Sequence, residues 1–147
     1  MSWNLFEVPD SVRDRLARLE TKSDWYVELG KLHVGQTGRL VYDLQETWPL
    51  WVEATEHAPS PLRLLFIGEM SARGGPDPDV GFLGASLVRA ISKALRQPES
   101  YFLDLFSKTE FAKLSDDYRN EIALLPLLRD CYDQVACNNN AIIFVLA

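Results

Sequence analysis

Apolar residues recur with a helical period along most of the chain. Near the start, Val12, Leu16 and Leu19 have the i, i+4, i+7 spacing of a helix with one buried face. The same spacing, with the Pro, Gly and Asp residues that start or end helices, predicts several helices. They are Val8–Glu20, Trp25–His33, Gln45–Glu56, Leu87–Arg96, Tyr101–Leu114 and a stretch after Asp116 and Asp117 that Pro126 divides and that ends at Cys137.

Two short segments have the residue types of strands. Leu40–Tyr42 is β-prone, and Ala141–Leu146 is an apolar run that follows the turn-forming Asn138–Asn140. Leu62–Ile67 fits either a strand or a short helix, because its length does not decide between them. Gly68–Gly84 is the least regular segment and is expected to be a long loop. We therefore predict an α+β fold: a predominantly helical single domain over residues 1–147, with a small sheet that includes a C-terminal strand.

Composition agrees with one globular domain and narrows the classes of partner. The 147 residues are 47% hydrophobic and 24% charged, as in a packed domain of ordinary size. The net charge is −6 and no basic stripe is present, so nucleic-acid binding is not expected. Neither a signal peptide nor an apolar run of the ~20 residues that span a bilayer is visible. We expect a cytoplasmic protein without membrane association, whose acidity favours a basic partner.

Four segments, in order, resemble motifs of the YfbM-like proteins, a bacterial domain family of unknown function. They are Tyr42–Trp48, Pro61–Gly68 with Glu69 and Asp79–Phe82, Leu87–Leu95, and Leu128–Tyr132 with Ala141–Phe144. The similarity spans roughly Leu40 to Ala147. It implies a fold and little chemistry, because that family has no established catalytic residues. Pro49 and Trp51 stand where family members often carry histidines, so no role of those histidines transfers here.

Residues able to support catalysis are few and are far apart in the sequence. His33 and His57 are the only histidines, and a catalytic histidine needs a carboxylate and a nucleophile within hydrogen-bond reach. The serines lie in no G-x-S-x-G elbow; Gly84-Ala85-Ser86 is the nearest approach and lacks the closing glycine. Both histidines are best interpreted as surface or helix-end residues, and no catalytic residue is predicted.

Metal and cofactor sites are also not predicted. Asp77 and Asp79 with Glu69 offer carboxylates, but Pro76 and Pro78 interrupt the regular ligand spacing of a calcium loop. The aspartates are better interpreted as turn formers. Gly74-Gly75 lacks the residues that complete a phosphate-binding loop, so no cofactor is expected.

Aromatic residues and cysteines have a structural interpretation and an alternative. Trp25, Tyr26, Trp48 and Trp51 are predicted to lie in the core, although an exposed aromatic patch would mark an interface. The two cysteines, Cys131 and Cys137, are six apart, about 120° from a common helix face, which suits neither a disulfide nor chelation. Both are predicted to be small buried apolar residues.

Three functional hypotheses remain open. The first is a non-enzymatic immunity protein that neutralises an interbacterial toxin, because the chain is small and acidic and no catalytic group is evident. The second is a housekeeping adaptor in a bacterial assembly, and the third is an enzyme whose site is scattered in sequence. For the first, the contact surface is predicted on the Gly68–Gly84 loop and an acidic C-terminal face. Its candidate partner-binding residues are Glu69, Asp77, Asp79, Asp116 and Asp117.

Overall fold

Five antiparallel strands form one sheet in the computed structural model. The structure describes residues 3–34, 39–43, 48–71 and 80–146, and within these the side chains of 4–21, 23–32, 49–69 and 80–145. The strands are β1 (Trp3–Val8), β2 (Arg39–Asp43), β3 (Met70–Ser71), β4 (Val80–Leu83) and β5 (Ala141–Leu146). Their order across the sheet is β2-β1-β5-β4-β3. The C-terminal strand is therefore the central one, with a hydrogen-bonded neighbour on each side.

Helices cover both faces of this sheet. They are α1 (Val12–Leu16), α2 (Lys22–Val34), α3 (Trp48–Glu56), α4 (Ala85–Ala94), α5 (Glu99–Ser107), α6 (Arg119–Ile122) and α7 (Leu125–Cys137). Short 3-10 helices span Leu62–Leu64 and Glu110–Lys113. In the described part of the chain, no helix combines the length and the apolar character needed to cross a bilayer.

The residues of β5 alternate between two apolar clusters. Ile142 and Phe144 pack into a large cluster with residues of α3, α4, α5 and α7. Ala141, Ile143 and Val145 pack into a smaller cluster with residues of α1 and α2. Successive side chains of a strand point to opposite faces, so the two clusters lie on opposite faces of the sheet. We call α3–α7 the thick layer, and α1 with α2 the thin layer.

The α+β fold with a C-terminal strand is confirmed. The predicted helices at α2, α4 and α7 and the predicted strands at β2 and β5 are present. Pro126 lies in the first turn of α7, where its missing N–H costs little. Asn139 adopts a φ of 55° and allows the chain to turn into β5.

The prediction for the first twenty residues was wrong in part. Residues Trp3–Val8 form a strand, and the helix predicted over Val8–Glu20 is confined to Val12–Leu16. Polar Asn4 and Glu7 obscure the apolar pattern of the strand, which is stabilised by pairing with β2 and β5. Pairing over such a sequence separation is not encoded in local periodicity.

The predicted loop Gly68–Gly84 is also corrected. It contains β3 and β4, and all four residues of β4 are buried. Gly81 resembles a turn former in the sequence, but it lies under the ring of Phe144. A Cβ at this position would be 2.1 Å from the ring Cζ, so the packing of the Phe144 ring over the backbone of β4 accounts for this glycine.

Two further segments differ from their predictions. The 3-10 helix Leu62–Leu64 resolves the ambiguity of Leu62–Ile67 in favour of a short helix. The helix predicted over Tyr101–Leu114 ends at Ser107, because buried Thr109 adopts extended backbone and starts a new 3-10 turn.

Candidate functional site

Helices α4 and α7 border an open groove of about 290 Å³. α4 and the turn after it contribute residues at i, i+3, i+4 and i+7, the spacing of one helix face. α7 contributes residues at i, i+3 and i+4 from the opposite side. The lining residues are Arg89, Ser92, Lys93, Arg96, Asp133, Ala136 and Cys137. We call this the α4–α7 groove.

A buried hydroxyl joins the two helices at the groove. Ser92 is only 4% exposed, and its Oγ donates a hydrogen bond to Oδ1 of Asp133. Since the serine proton is directed to a carboxylate, this pair serves to connect α4 to α7. Neither histidine is among the groove's lining residues in the described part of the chain.

One end of the groove is fixed by the turn between α7 and β5. Arg89 donates to Oδ1 of Asn139 in that turn. The flanking Asn138 and Asn140 donate to Oε2 of Glu7 at 2.8 and 2.9 Å. Glu7 is 5% exposed and belongs to the sheet. These bonds fix the position of the Asn139 acceptor, and therefore orient Arg89.

The exposed thiol of Cys137 lies at the groove. Both cysteines are free; Cys131 is buried and Cys137 is exposed. The prediction of a small buried residue is confirmed for Cys131 and wrong for Cys137. The six-residue separation places the two thiols about 120° apart on α7, so one faces the core and the other does not.

A second surface lies in the connection between α5 and α6. Leu114 is 85% exposed there, and Asp116 and Asp117 follow it with exposed side chains. Glu121 belongs to α6, the next helix along the chain. We call Leu114, Asp116, Asp117 and Glu121 the Leu114 surface.

The carboxylates of the Leu114 surface differ in their partners. Arg119 donates from Nε and Nη2 to Asp117 at 2.9 and 2.8 Å. This bidentate pairing lowers the pKa of Asp117 below its usual value of 3.8. Asp116 has no such guanidinium bound to it in the described part of the chain. Oε2 of Glu121 is buried, and no donor reaches it from any described residue.

Two contacts with buried aromatic residues connect the Leu114 surface to the core. Trp51 is fully buried, and its Nε1 donates to the backbone carbonyl of Glu121 at 2.8 Å. The ring of Tyr118 lies 5.6 Å from the ring of Phe106. These contacts fix the backbone on which the acidic residues stand.

The predicted partner-binding residues do not form one cluster in the part of the chain described. Oε1 of Glu69 accepts from the backbone N–H of Gly84 at 2.9 Å, and Oε2 pairs with Arg13 at 3.2 Å. Beside it, Oδ1 of Asp10 accepts from the N–H of Ala85 at 2.8 Å. Both carboxylates therefore satisfy donors at the start of α4 and suit the positive end of its dipole.

Asp77 and Asp79 lie outside the described residues, and so does any site that they could form with Glu69. Within the described ranges, no three His, Cys, Asp or Glu side chains come together as metal ligands. His57 is exposed at the end of α3. The core prediction is confirmed for Trp25 and Trp51 and wrong for Tyr26, which is 37% exposed. The side chain of Trp48 is not among those described.

Comparison with solved structures decides the fold. The crystal structure of YfbM from Escherichia coli, a protein of unknown function, aligns over 100% of both chains with a TM-score of 0.65 and 14% sequence identity. The chain has the YfbM fold. The predicted resemblance to the YfbM-like proteins is thereby confirmed at the level of fold. No protein-family model and no curated protein matches the sequence.

The YfbM fold carries no activity with it, since YfbM is itself described as a protein of unknown function. The local surfaces must therefore supply any functional argument. Sequence reasoning selected Asp116 and Asp117 but missed the α4–α7 groove. The only local signal was the i, i+4, i+7 spacing of Arg89, Lys93 and Arg96, which is also the pattern of an ordinary solvated helix face.

Proposed function

We propose that this chain is a protein-binding domain that neutralises a basic toxin in the bacterial cytoplasm, that is, an immunity protein. Its contact region is the Leu114 surface. The observation that carries the proposal is the 85% exposure of Leu114 in a connection that also presents Asp116 and Asp117.

This arrangement has the anatomy of a small protein interface. A central apolar side chain loses water when a partner covers it, and charged residues at the rim orient the encounter. The α6 end of this surface is held by Trp51, which donates to the carbonyl of Glu121. A partner that covers Leu114 therefore needs little rearrangement of this chain.

Charge selects a basic partner. The chain carries a net charge of −6, and the rim of the Leu114 surface is acidic. Electrostatic complementarity of this kind raises association rates and suppresses wrong partners. Toxin enzymes that act on charged substrates often present basic clefts, and an acidic surface with an apolar centre is suited to filling one.

The carboxylates are expected to contribute unequally. The charge of Asp117 is already paired with Arg119, whereas Asp116 is available for a lysine or arginine of the partner. Glu69 is bound to Gly84 and Arg13, so we expect it to contribute less than Asp116. Asp77 and Asp79 remain predicted contact residues.

Co-expression with the product of the adjacent gene tests the proposal. The readouts are rescue of growth and one-to-one co-purification. We expect both for the natural chain, a loss of affinity of about tenfold or more for Leu114→Ser, and slower association with weaker salt dependence for Asp116→Lys.

Matched controls come from the thin layer. Val27→Ser removes an apolar side chain that is 59% exposed on α2, and Asp14→Lys makes the same charge change on α1. Both controls should bind as the natural chain does. Equal losses in controls and test variants would reject the Leu114 surface as the contact region.

The remaining outcomes separate the other hypotheses. If the adjacent gene product is neither bound nor neutralised, the immunity function is wrong. Co-purification with several unrelated host proteins would instead identify an adaptor, and the same four variants would then show whether the Leu114 surface is its binding region.

A further inference from the structure

The α4–α7 groove has an excess of positive charge in an acidic protein. Arg89, Lys93 and Arg96 contribute three positive charges and Asp133 one negative charge, which leaves a net charge of +2 at the groove. The whole chain carries −6. The groove is therefore suited to attract an anion, and the Leu114 surface contributes no residue to it.

The cations of the groove are not all neutralised internally. Arg89 is bound to the neutral side chain of Asn139, and Asp133 already accepts the hydroxyl of Ser92. No described carboxylate forms an ion pair with Lys93 or Arg96. Like charges held near one another repel, and an anion between them removes that repulsion.

Hydrogen bonds fix two positions of the groove wall. Ser92 is buried between the two helices, with only 4% of its surface exposed. Arg89 is oriented by a turn that is itself bonded to Glu7 of the sheet. A ligand would therefore meet one preorganised donor in Arg89, which lowers the entropy that binding costs.

From these observations we propose that the α4–α7 groove binds a small phosphate monoester. A phosphate monoester carries about −1.5 to −2 charges at neutral pH, which balances the +2 of the groove. A single carboxylate would balance only half of it. The volume of about 290 Å³ is near the lower limit of small-molecule sites and leaves room for an organic group beside Ala136.

Binding can be measured with phenyl phosphate as the ligand and with Cys137 as a reporter. Calorimetry gives the affinity. Alkylation by the neutral reagent N-ethylmaleimide gives occupancy at the groove, because Cys137 is exposed and Cys131 is buried. We expect phenyl phosphate to bind and to slow alkylation, and Cys137→Ser to remove the alkylation signal. Benzoate, with the same ring and one negative charge, should protect Cys137 much less.

Two double variants identify the groove as the location of binding. Lys93→Gln with Arg96→Gln removes two exposed cations of the groove, and Arg18→Gln with Lys108→Gln removes one arginine and one lysine elsewhere. The net charge of the chain changes equally in both. The groove variant should bind phenyl phosphate at least about tenfold more weakly, since two charge-assisted contacts are lost, and the control by less than about twofold.

Three results would overturn the proposal. One is the absence of binding and of protection by phenyl phosphate. The second is equal protection by benzoate, which would show that the groove does not select a dianion. The third is equal affinity of the two double variants. None of these results depends on whether a toxin is bound, so this proposal and the proposed function succeed or fail separately.

Discussion

The two faces of the sheet are covered to different depths. Among the described residues, the cluster under the thick layer contains 23 buried residues, and the cluster under the thin layer contains 11. Five helices pack over one face and two over the other. The comparison shows where this fold can place a functional surface: helices that bury one side against a large core have their other sides free to form grooves and protruding connections.

Both candidate surfaces belong to the thick layer. The α4–α7 groove lies between two of its helices, and the Leu114 surface connects two others. The thin layer instead contacts the thick layer through Asp10, Arg13 and Glu69 at the first turn of α4. Five predictions compare the contacts of the two layers.

The largest effect is expected for Phe144→Ala on the thick-layer side of β5. Its ring is fully buried and lies against Gly68 and Gly81. We expect the free energy of unfolding to fall by about 3–5 kcal/mol, through lost burial and a residual cavity. Urea denaturation measures it, and a loss below about 1 kcal/mol would contradict the central place of this residue.

A smaller loss is expected for Ile143→Ala, the neighbour on the thin-layer side. Ile143 is 1% exposed and belongs to the smaller cluster. The two helices of the thin layer can close the cavity left by the substitution more readily than the five of the thick layer could. We therefore expect the free energy of unfolding to fall by about 2–3 kcal/mol, in the lower part of the usual range. The same denaturation experiment compares the two variants, and a loss exceeding that of Phe144→Ala would reverse the order of the two faces.

Tyr132→Phe is expected to cost about 1–2 kcal/mol, because the buried carbonyl of Leu65 loses its donor at 2.9 Å. Burial raises the pKa of Tyr132 well above its usual value of 10.0. The unfolded chain therefore releases this proton first, so the natural protein should lose stability as the pH rises above about 10. Denaturation across alkaline pH should show a shallower decline for Tyr132→Phe; identical declines would exclude Tyr132 as the cause.

The junction between the layers should contribute less. Glu69→Ala leaves the N–H of Gly84 without its acceptor and should cost about 1 kcal/mol. Glu69→Gln keeps an oxygen there and loses only the pairing with Arg13, which is 53% exposed, so about 0.5 kcal/mol or less is expected. Thermal unfolding of the pair separates the two contributions, and equal losses would show that the ion pair, not the cap, is what matters.

The smallest effect on stability is expected at the Leu114 surface. Arg119→Gln should raise the pKa of Asp117 back towards 3.8, because the bidentate donor is gone. The pairing stabilises the folded state above that pH, and this stabilisation is lost as the pH falls. Because both side chains are solvated, we expect no measurable change in the free energy of unfolding. An NMR titration of the Asp117 carboxyl carbon reports the shift, and an unchanged titration would disprove the pairing in solution.

The sequence predicted those elements whose pattern is local. α4 could be predicted because Val88, Ile91 and Leu95 lie on one face within a single segment. β5 could be predicted because a strand covered on both faces is apolar at nearly every position. β1 could not, since its polar Asn4 and Glu7 are accommodated by partners far along the chain.

The candidate surfaces show the same limit. The exposure of Asp116 and Asp117 could be expected, because acidic residues near helix breaks are usually solvated. The pairing of Asp117 with Arg119 was not expected from the sequence. The exposure of Leu114 was not expected either, because a leucine near a helical pattern is ordinarily predicted to be buried. The groove needed the packing of α4 on α7, which brings together Ser92 and Asp133, 41 residues apart.

The amino-acid sequence by itself determined the α+β class, most helices, the closing strand and the acidic balance of this protein. These depend on residues within a few positions of each other, or on composition alone. Only the tertiary structure decided that β5 is the central strand, that Cys137 points away from the core, and that three cations meet one carboxylate in a groove. Those features depend on which distant segments pack together, and side-chain spacing along one segment does not encode that choice.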